Sequence, residues 1–188
     1  MNLKLVIFAV ALILPGVAGM NGALAAKSDS CAHCHGTDGN STSSAYPSLA
    51  GQTKDYLYRQ MKDFKEGRRK NSMMTPSIGV LSDTDMQELA DYFSAQSIVR
   101  SKFEADPAKV EQGKKIAQEA QCTTCHQSGF KGLNEFPRLS RQKYPYLVKQ
   151  LKDYRDGTRT NDNGVMAPAA KNLSDDQIEA LAHYLASF

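Results

Sequence analysis

The sequence predicts an all-α protein of two tandem modules, and three observations carry that reading. No run in the 188 residues alternates apolar and polar side chains long enough to argue for a strand, whereas several runs have helical spacing. The second half of the chain repeats the first, with a period near 91 residues. A pentapeptide Cys-x-x-Cys-His occurs once in each half, as Cys31-Ala32-His33-Cys34-His35 and Cys122-Thr123-Thr124-Cys125-His126.

Cys-x-x-Cys-His is the attachment motif of c-type haem, and each residue answers a chemical need. Cys31 and Cys34, like Cys122 and Cys125, are spaced to form thioether bonds along one porphyrin edge. His35 and His126 then fall beneath the iron as proximal ligands. The two motifs use all 4 cysteines and leave no thiol over. A structural zinc site would have to borrow ligands across both motifs. A thioredoxin-like site would need a strand-then-helix context that neither motif has.

The repeat extends well beyond the motifs. Pro47, Leu49 and Gln52 answer Pro137, Leu139 and Gln142. Tyr56-Leu57, Gln60, Lys62-Asp63 and Phe64 answer Tyr146-Leu147, Gln150, Lys152-Asp153 and Tyr154. Gly67, Arg69, Asn71, Met74, Pro76 and Leu81-Ser82-Asp83 answer Gly157, Arg159, Asn161, Met166, Pro168 and Leu173-Ser174-Asp175. Such a period is too long for a solenoid unit and suits two small domains, read as 26–97 and 106–188 with a linker at 98–105. Modules this small bury little core alone, so a haem wrapped by each one is a large part of what lets it fold.

In chain order, residues 1–25 read as a secretory signal: Lys4, an apolar run from Leu5 to Leu14, and a small-residue cleavage site at Ala23-Leu24-Ala25. An uncleaved anchor is the rival reading, but Pro15 and Gly16 interrupt a run that would need about 20 apolar residues to span a bilayer. Cleavage leaves only Ala26 to Ser30 before Cys31, so the first module is expected to lack a lead-in helix. A polar loop then leads to a helix with Tyr56, Leu57, Met61 and Phe64 on one side, stopped by Gly67. The last helix of that module starts at Ser82-x-x-Asp85, with Met86, Leu89 and Phe93 inside. In the second module Asp106-Pro107 reads as N-cap and N1 of a helix running towards Cys122. Its later helices carry Tyr146, Leu147, Leu151 and Tyr154, then Ile178, Leu181 and Leu185 after a Ser174-x-x-Gln177 start.

The sixth iron ligand decides what a haem protein does. Histidine alone leaves an open site for oxygen or peroxide, whereas methionine closes the iron into an electron relay. Met74-Thr75-Pro76 and Met166-Ala167-Pro168 lie 39 and 40 residues after His35 and His126. A thioether on a turn stiffened by proline suits a distal ligand. Met166 has no competitor in its module, whereas Met73 competes with Met74; Met61 and Met86 fall at helical spacing and read as core. His33 and His183 read as ordinary partly exposed residues. The cationic run Lys62, Lys65, Arg68, Arg69 and Lys70, echoed by Lys149, Lys152, Arg155 and Arg159, could dock an acidic partner or be a solvated helix face. Arg69 and Arg159, kept just ahead of the methionine loops, are candidates to neutralise haem propionates.

With these residues in place, the chain resembles the dihaem cytochrome c4 family. The resemblance rests on Cys-Ala-x-Cys-His-Gly-x-x-Gly-Asn-Ser at Cys31 to Ser41, on the repeated Tyr-Leu-x-x-Gln segment, on Gly-x-Arg-x-Asn, and on Leu-Ser-Asp before each last helix. It implies two cytochrome c-type lobes related by a pseudo-twofold axis, with iron held by His35 and Met74 in one and by His126 and Met166 in the other. It also implies two haem c groups and redox-protein partners. Export for c-type assembly implies the periplasm. The reading is a soluble or membrane-peripheral carrier of single electrons from a quinol- or substrate-oxidising complex to an acceptor such as a terminal oxidase. It is not expected to act as an enzyme. Two rivals remain, the dihaem subunit of a flavocytochrome sulfide dehydrogenase and a dihaem peroxidase. The formal charge of +3 falls to +2 once Lys4 is removed, and no basic arm supports nucleic-acid binding.

Overall fold

Each half of the chain folds into helices that lean on one another around a shared cleft, and their ends are set by local side-chain chemistry. The computed structural model describes residues 22–100 and 102–188. In order the helices are α1 (Gly22–His35), α2 (Lys54–Lys65), α3 (Met74–Gly79), α4 (Asp83–Ser94), α5 (Pro107–Glu119), α6 (Thr123–His126), α7 (Tyr144–Arg155), α8 (Met166–Ala170) and α9 (Asp175–Ala186). A 3-10 turn spans Ser128–Phe130. Among the described residues there is no strand, only an isolated bridge between Leu133 and Phe136. The expected signal segment falls, up to residue 21, outside the described residues, and residues 22–25 belong to α1.

The repeat is visible in how the elements begin and end. α4 and α9 each start in a reciprocal capping box, in which the Ser82 hydroxyl accepts from Asp85 N and the Ser174 hydroxyl from Gln177 N, while the Asp85 and Gln177 side chains accept from the serine amides. α2 and α7 both stop before a glycine in the left-handed region, Gly67 at φ 76° and Gly157 at φ 71°. Asp106 caps α5 through Ala108 N and Lys109 N, with Pro107 in the first turn.

The lead-in helices differ between the modules. The first motif does have one: α1 runs straight through Cys31 to His35, a correction to the expected short lead-in. Among its described side chains Leu24 and Cys31 pack towards the α2/α4 core, and Lys27 pairs with Asp85 and Glu88 of α4. In the second module α5 stops at Glu119, Gln121 turns at φ 52°, and the motif opens a fresh short helix, α6. α5 presses so tightly on α9 that a Cβ on Gly113 would lie 2.1 Å from the Ala180 carbonyl oxygen.

Each module has its own apolar centre. Leu57, Leu89 and Phe93, with Phe64, Ile78 and Met86 beside them, fill the first. Ile116, Phe130, Leu147, Leu181 and Leu185 fill the second, and Phe103 stacks on Tyr144 at 4.8 Å against it.

The seam between the modules is polar and obeys a pseudo-twofold exchange. Gln52 Nε2 donates to Arg138 O at 3.0 Å and Gln52 Oε1 accepts from Arg138 N at 2.6 Å. Its repeat partner does the same in reverse, with Gln142 Nε2 donating to Ser48 O at 3.0 Å and Gln142 Oε1 accepting from Ser48 N at 2.8 Å. Arg69 donates to the Tyr146 hydroxyl and to Gln150 Oε1, and Arg159 donates to the Tyr56 hydroxyl and to Gln60 Oε1. Arg138 spends its guanidinium on the carbonyls of Ala50, Gly51 and Ser140, a set that Ser48 cannot mirror. Burial, with Arg141 beside it, brings that guanidinium down to about 10, so it remains a cation at neutral pH.

Candidate functional site

A cleft of about 910 Å³ is lined by both modules and collects every residue the motifs single out: Cys31, Cys34, His35 and Met74 from one, Cys122, Cys125, His126 and Met166 from the other. No disulfide joins any of the four cysteines, each of which is half-buried. Burial pushes the Cys31 and Cys122 thiols above their ordinary values, because a thiolate there would lose its hydration.

Both proximal histidines are held in the same way. His35 is 5% exposed with Nδ1 2.8 Å from Pro47 O, and His126 is 5% exposed with Nδ1 2.9 Å from Pro137 O. A carbonyl can only accept, so the proton sits on Nδ1 and the Nε2 lone pair is left for a metal. Burial lowers the pKa of both rings despite the raising effect of the carbonyl bond, which keeps them in the neutral form that coordinates iron.

The methionines sit at equivalent places, each opening a short helix across the cleft. Met74 packs beside Phe64, Ile78 and Met86, whereas Met73 is 51% exposed. The backbone that presents Met74 is tied by Asn71 Oδ1, which accepts from Met73 N at 3.0 Å and Met74 N at 2.9 Å. In the second module that task passes from the aligned Asn161 to Asp162, whose carboxylate accepts from Gly164 N, Met166 N and Ala167 N. Burial opposes ionisation of Asp162, but these amide donors outweigh it and hold the carboxyl below the usual range. Met166 lies five positions after Asn161 where Met74 lies three after Asn71, and these two added residues account for the handover. Asn161 is released to the seam, where it donates to Gln60 Oε1 and to Asp63 Oδ2.

The other candidates separate cleanly. His33 is exposed, and His183 packs against Phe103 and Tyr144 while Nδ1 accepts from Asp106 N. The expected cationic docking patch is largely paired: Lys62 with Asp83, Arg68 with Asp63 and Glu66, Lys152 and Arg155 with Asp175. Arg69 and Arg159 are not part of that face. They lie in the seam on the cleft wall, over the Phe64 and Tyr154 rings at 4.7 and 4.6 Å. Among the described residues no carboxylate stands within ion-pair distance of either.

Sequence reasoning gave no role to Gln52, Gln142, Gln60 or Gln150, which build the seam. Their signal was present: each is a polar residue kept in both repeats with nothing in a single module to require it. The donor set fits haem better than a bare metal, because no cluster of three or more His, Cys, Asp or Glu among the described residues could hold an ion. Nor is any described helix long and apolar enough to cross a membrane.

Comparisons with known proteins show the family. The Cytochrome c family matches residues 20–97 and again 110–188. A cytochrome c4 from Pseudomonas aeruginosa is 41% identical, with 98% of each chain covered. The crystal structure of reduced recombinant cytochrome c4 from Pseudomonas stutzeri superposes with a TM-score of 0.81 at 39% identity, covering 90% of this chain and 98% of that one. A thiosulfate dehydrogenase electron acceptor from Stutzerimonas stutzeri is 36% identical over 84% of this chain and 78% of its own. The chain belongs to the cytochrome c4 family: two cytochrome c modules in tandem that carry two haem c groups and transfer electrons without transforming a substrate.

Proposed function

We propose that the protein is a periplasmic shuttle of single electrons between a substrate- or quinol-oxidising complex and an acceptor such as a terminal oxidase. When bound, haem c supplies a one-electron couple. Cys31 and Cys34 in the module at 26–97, and Cys122 and Cys125 in the module at 106–188, would tether it; His35 and His126 would ligate through Nε2. Met74 and Met166 would supply the second ligand of each iron, and neutral sulfur would raise its potential into the range of a relay. Met74 is preferred to Met73 because it faces the packed interior while Met73 is half in solvent. The observation that carries the reading is the placement of two complete sets of two thiols, an imidazole and a thioether on the wall of one cleft.

Methionine on both irons would leave no free position for peroxide, and that ligand set favours a relay over a peroxidase. A thiosulfate-oxidising enzyme is a specific second choice of donor, supported by the relative that serves as electron acceptor to one. The ligand set is tested by Met74→Ala and Met166→Ala in the holoprotein. Each is expected to turn its own haem from low spin to high spin and leave the other unchanged. Unaltered spectra in both variants would remove the relay assignment. The donor is tested by stopped-flow reduction with purified thiosulfate dehydrogenase and with a quinol-oxidising complex.

A further inference from the structure

We infer that Gln142 and Gln52 are positioning residues that set the donor strength of the proximal histidine in the opposite module. The geometry runs through one peptide unit on each side. The Pro47–Ser48 peptide accepts from His35 Nδ1 on its carbonyl at 2.8 Å and donates its N–H to Gln142 Oε1 at 2.8 Å. The Pro137–Arg138 peptide accepts from His126 Nδ1 at 2.9 Å and donates to Gln52 Oε1 at 2.6 Å. Each glutamine therefore sits one resonance-coupled amide away from an imidazole that belongs to the other half of the chain.

An amide polarised at its N–H becomes a better acceptor at its oxygen, because the nitrogen lone pair delocalises towards the carbonyl. A stronger pull on the Nδ1 proton gives the ring more imidazolate character and makes Nε2 a better donor to the metal. A better donor favours ferric over ferrous iron. Gln142 thus lowers the potential of the haem held by His35, and Gln52 that of the haem held by His126. Both glutamines are buried, at 4 and 5% exposure, so the bonds act in a medium that does not screen them. Each is also locked from its other end, Gln142 Nε2 on Ser48 O and Gln52 Nε2 on Arg138 O. The consequence is that docking of the two modules and the potentials of the two haems are not independent.

This rests on His35 and His126 being the iron ligands. The test uses the full-length holoprotein and resolves two readouts per haem: the midpoint potential and the hyperfine-shifted imidazole Nδ1 proton of the oxidised state. Gln142→Leu is expected to raise the reduced-to-oxidised ratio of the module-one haem about two- to threefold at a fixed potential near its midpoint. Its His35 Nδ1 proton is expected to move towards a weaker hydrogen bond, with the second haem unmoved. Gln52→Leu should do the converse. Gln142→Glu keeps an acceptor of greater strength and should move the same His35 signal the other way, which preserves a readable sign if the leucine variant does not fold. Arg59→Met, which cuts the seam contacts to Glu135 and Asn161 away from either peptide, should leave both Nδ1 signals in place. The inference is overturned if the shifts appear in the glutamine's own module, in both haems alike, with one sign for Leu and Glu, or equally in Arg59→Met. Absence of any hyperfine-shifted Nδ1 proton in the unsubstituted protein would overturn the histidine ligation itself, a different failure.

Discussion

Ser48 and Arg138 occupy equivalent positions, yet one is a small hydroxyl and the other a buried cation held only by carbonyls. Arg138→Ala strips the donors from Ala50, Gly51 and Ser140, and is expected to cost about 2–4 kcal/mol in denaturant unfolding of the holoprotein. Arg159 makes a separate case. It is 7% exposed, and its hydrogen bonds go to neutral oxygens of Tyr56, Gln60, Gln150 and Asn161. A buried guanidinium on the cleft wall without a carboxylate disfavours the ferric state nearby and suits a propionate. Arg159→Gln should lower the potential of the second haem by about 1 kcal/mol of redox free energy, read by spectroelectrochemistry. An unmoved potential would separate Arg159 from the haem.

At the scale of elements, the two lead-in helices are held by different means. α5 is clamped on α9 at Gly113, and Gly113→Ala should push the pair apart at a cost of about 1–3 kcal/mol, seen as a lower melting temperature with the first module's haem spectrum intact. α1 is held on α4 through Lys27 and Asp85. The bond from Lys27 leads the causes, followed by the Ser82 amide and hydroxyl, that bring the Asp85 carboxyl from 3.8 down to about 2. A pKa depressed on folding contributes stability that is present above the unfolded value and is lost as pH falls through the folded one. Unfolding monitored between pH 4 and 2 should therefore weaken more steeply in the native chain than in Asp85→Asn.

At the scale of the whole molecule, the helical class, the tandem repeat and both sets of core residues could be read from the sequence, because apolar spacing, caps and the paired motifs all point one way. Leu57, Phe64, Met86, Leu89 and Phe93 are buried as their spacing requires. α1 escaped because residues up to Ala25 read as a cleaved signal, which left Ala26 to Ser30 too short to suggest a helix before the motif. The exchange of roles between Asn161 and Asp162 escaped for a different reason: an alignment pairs residues by position, and the two residues added before Met166 reassign a hydrogen bond without disturbing the match. The seam was the least legible part. Gln52, Gln60 and their repeats are polar residues whose partners across the seam lie 81 to 101 residues away, and no local pattern carries that information.

We propose that His35 with Met74 and His126 with Met166 would each hold one iron, in modules joined by a polar seam. A spectroelectrochemical titration of the mature holoprotein, with the two haems resolved and their axial-ligand signatures recorded, tests it most directly. Two low-spin haems with methionine-type signatures and high, closely spaced potentials are the predicted result. A high-spin or low-potential haem would contradict the account, because it would mean that Met74 or Met166 leaves its iron open.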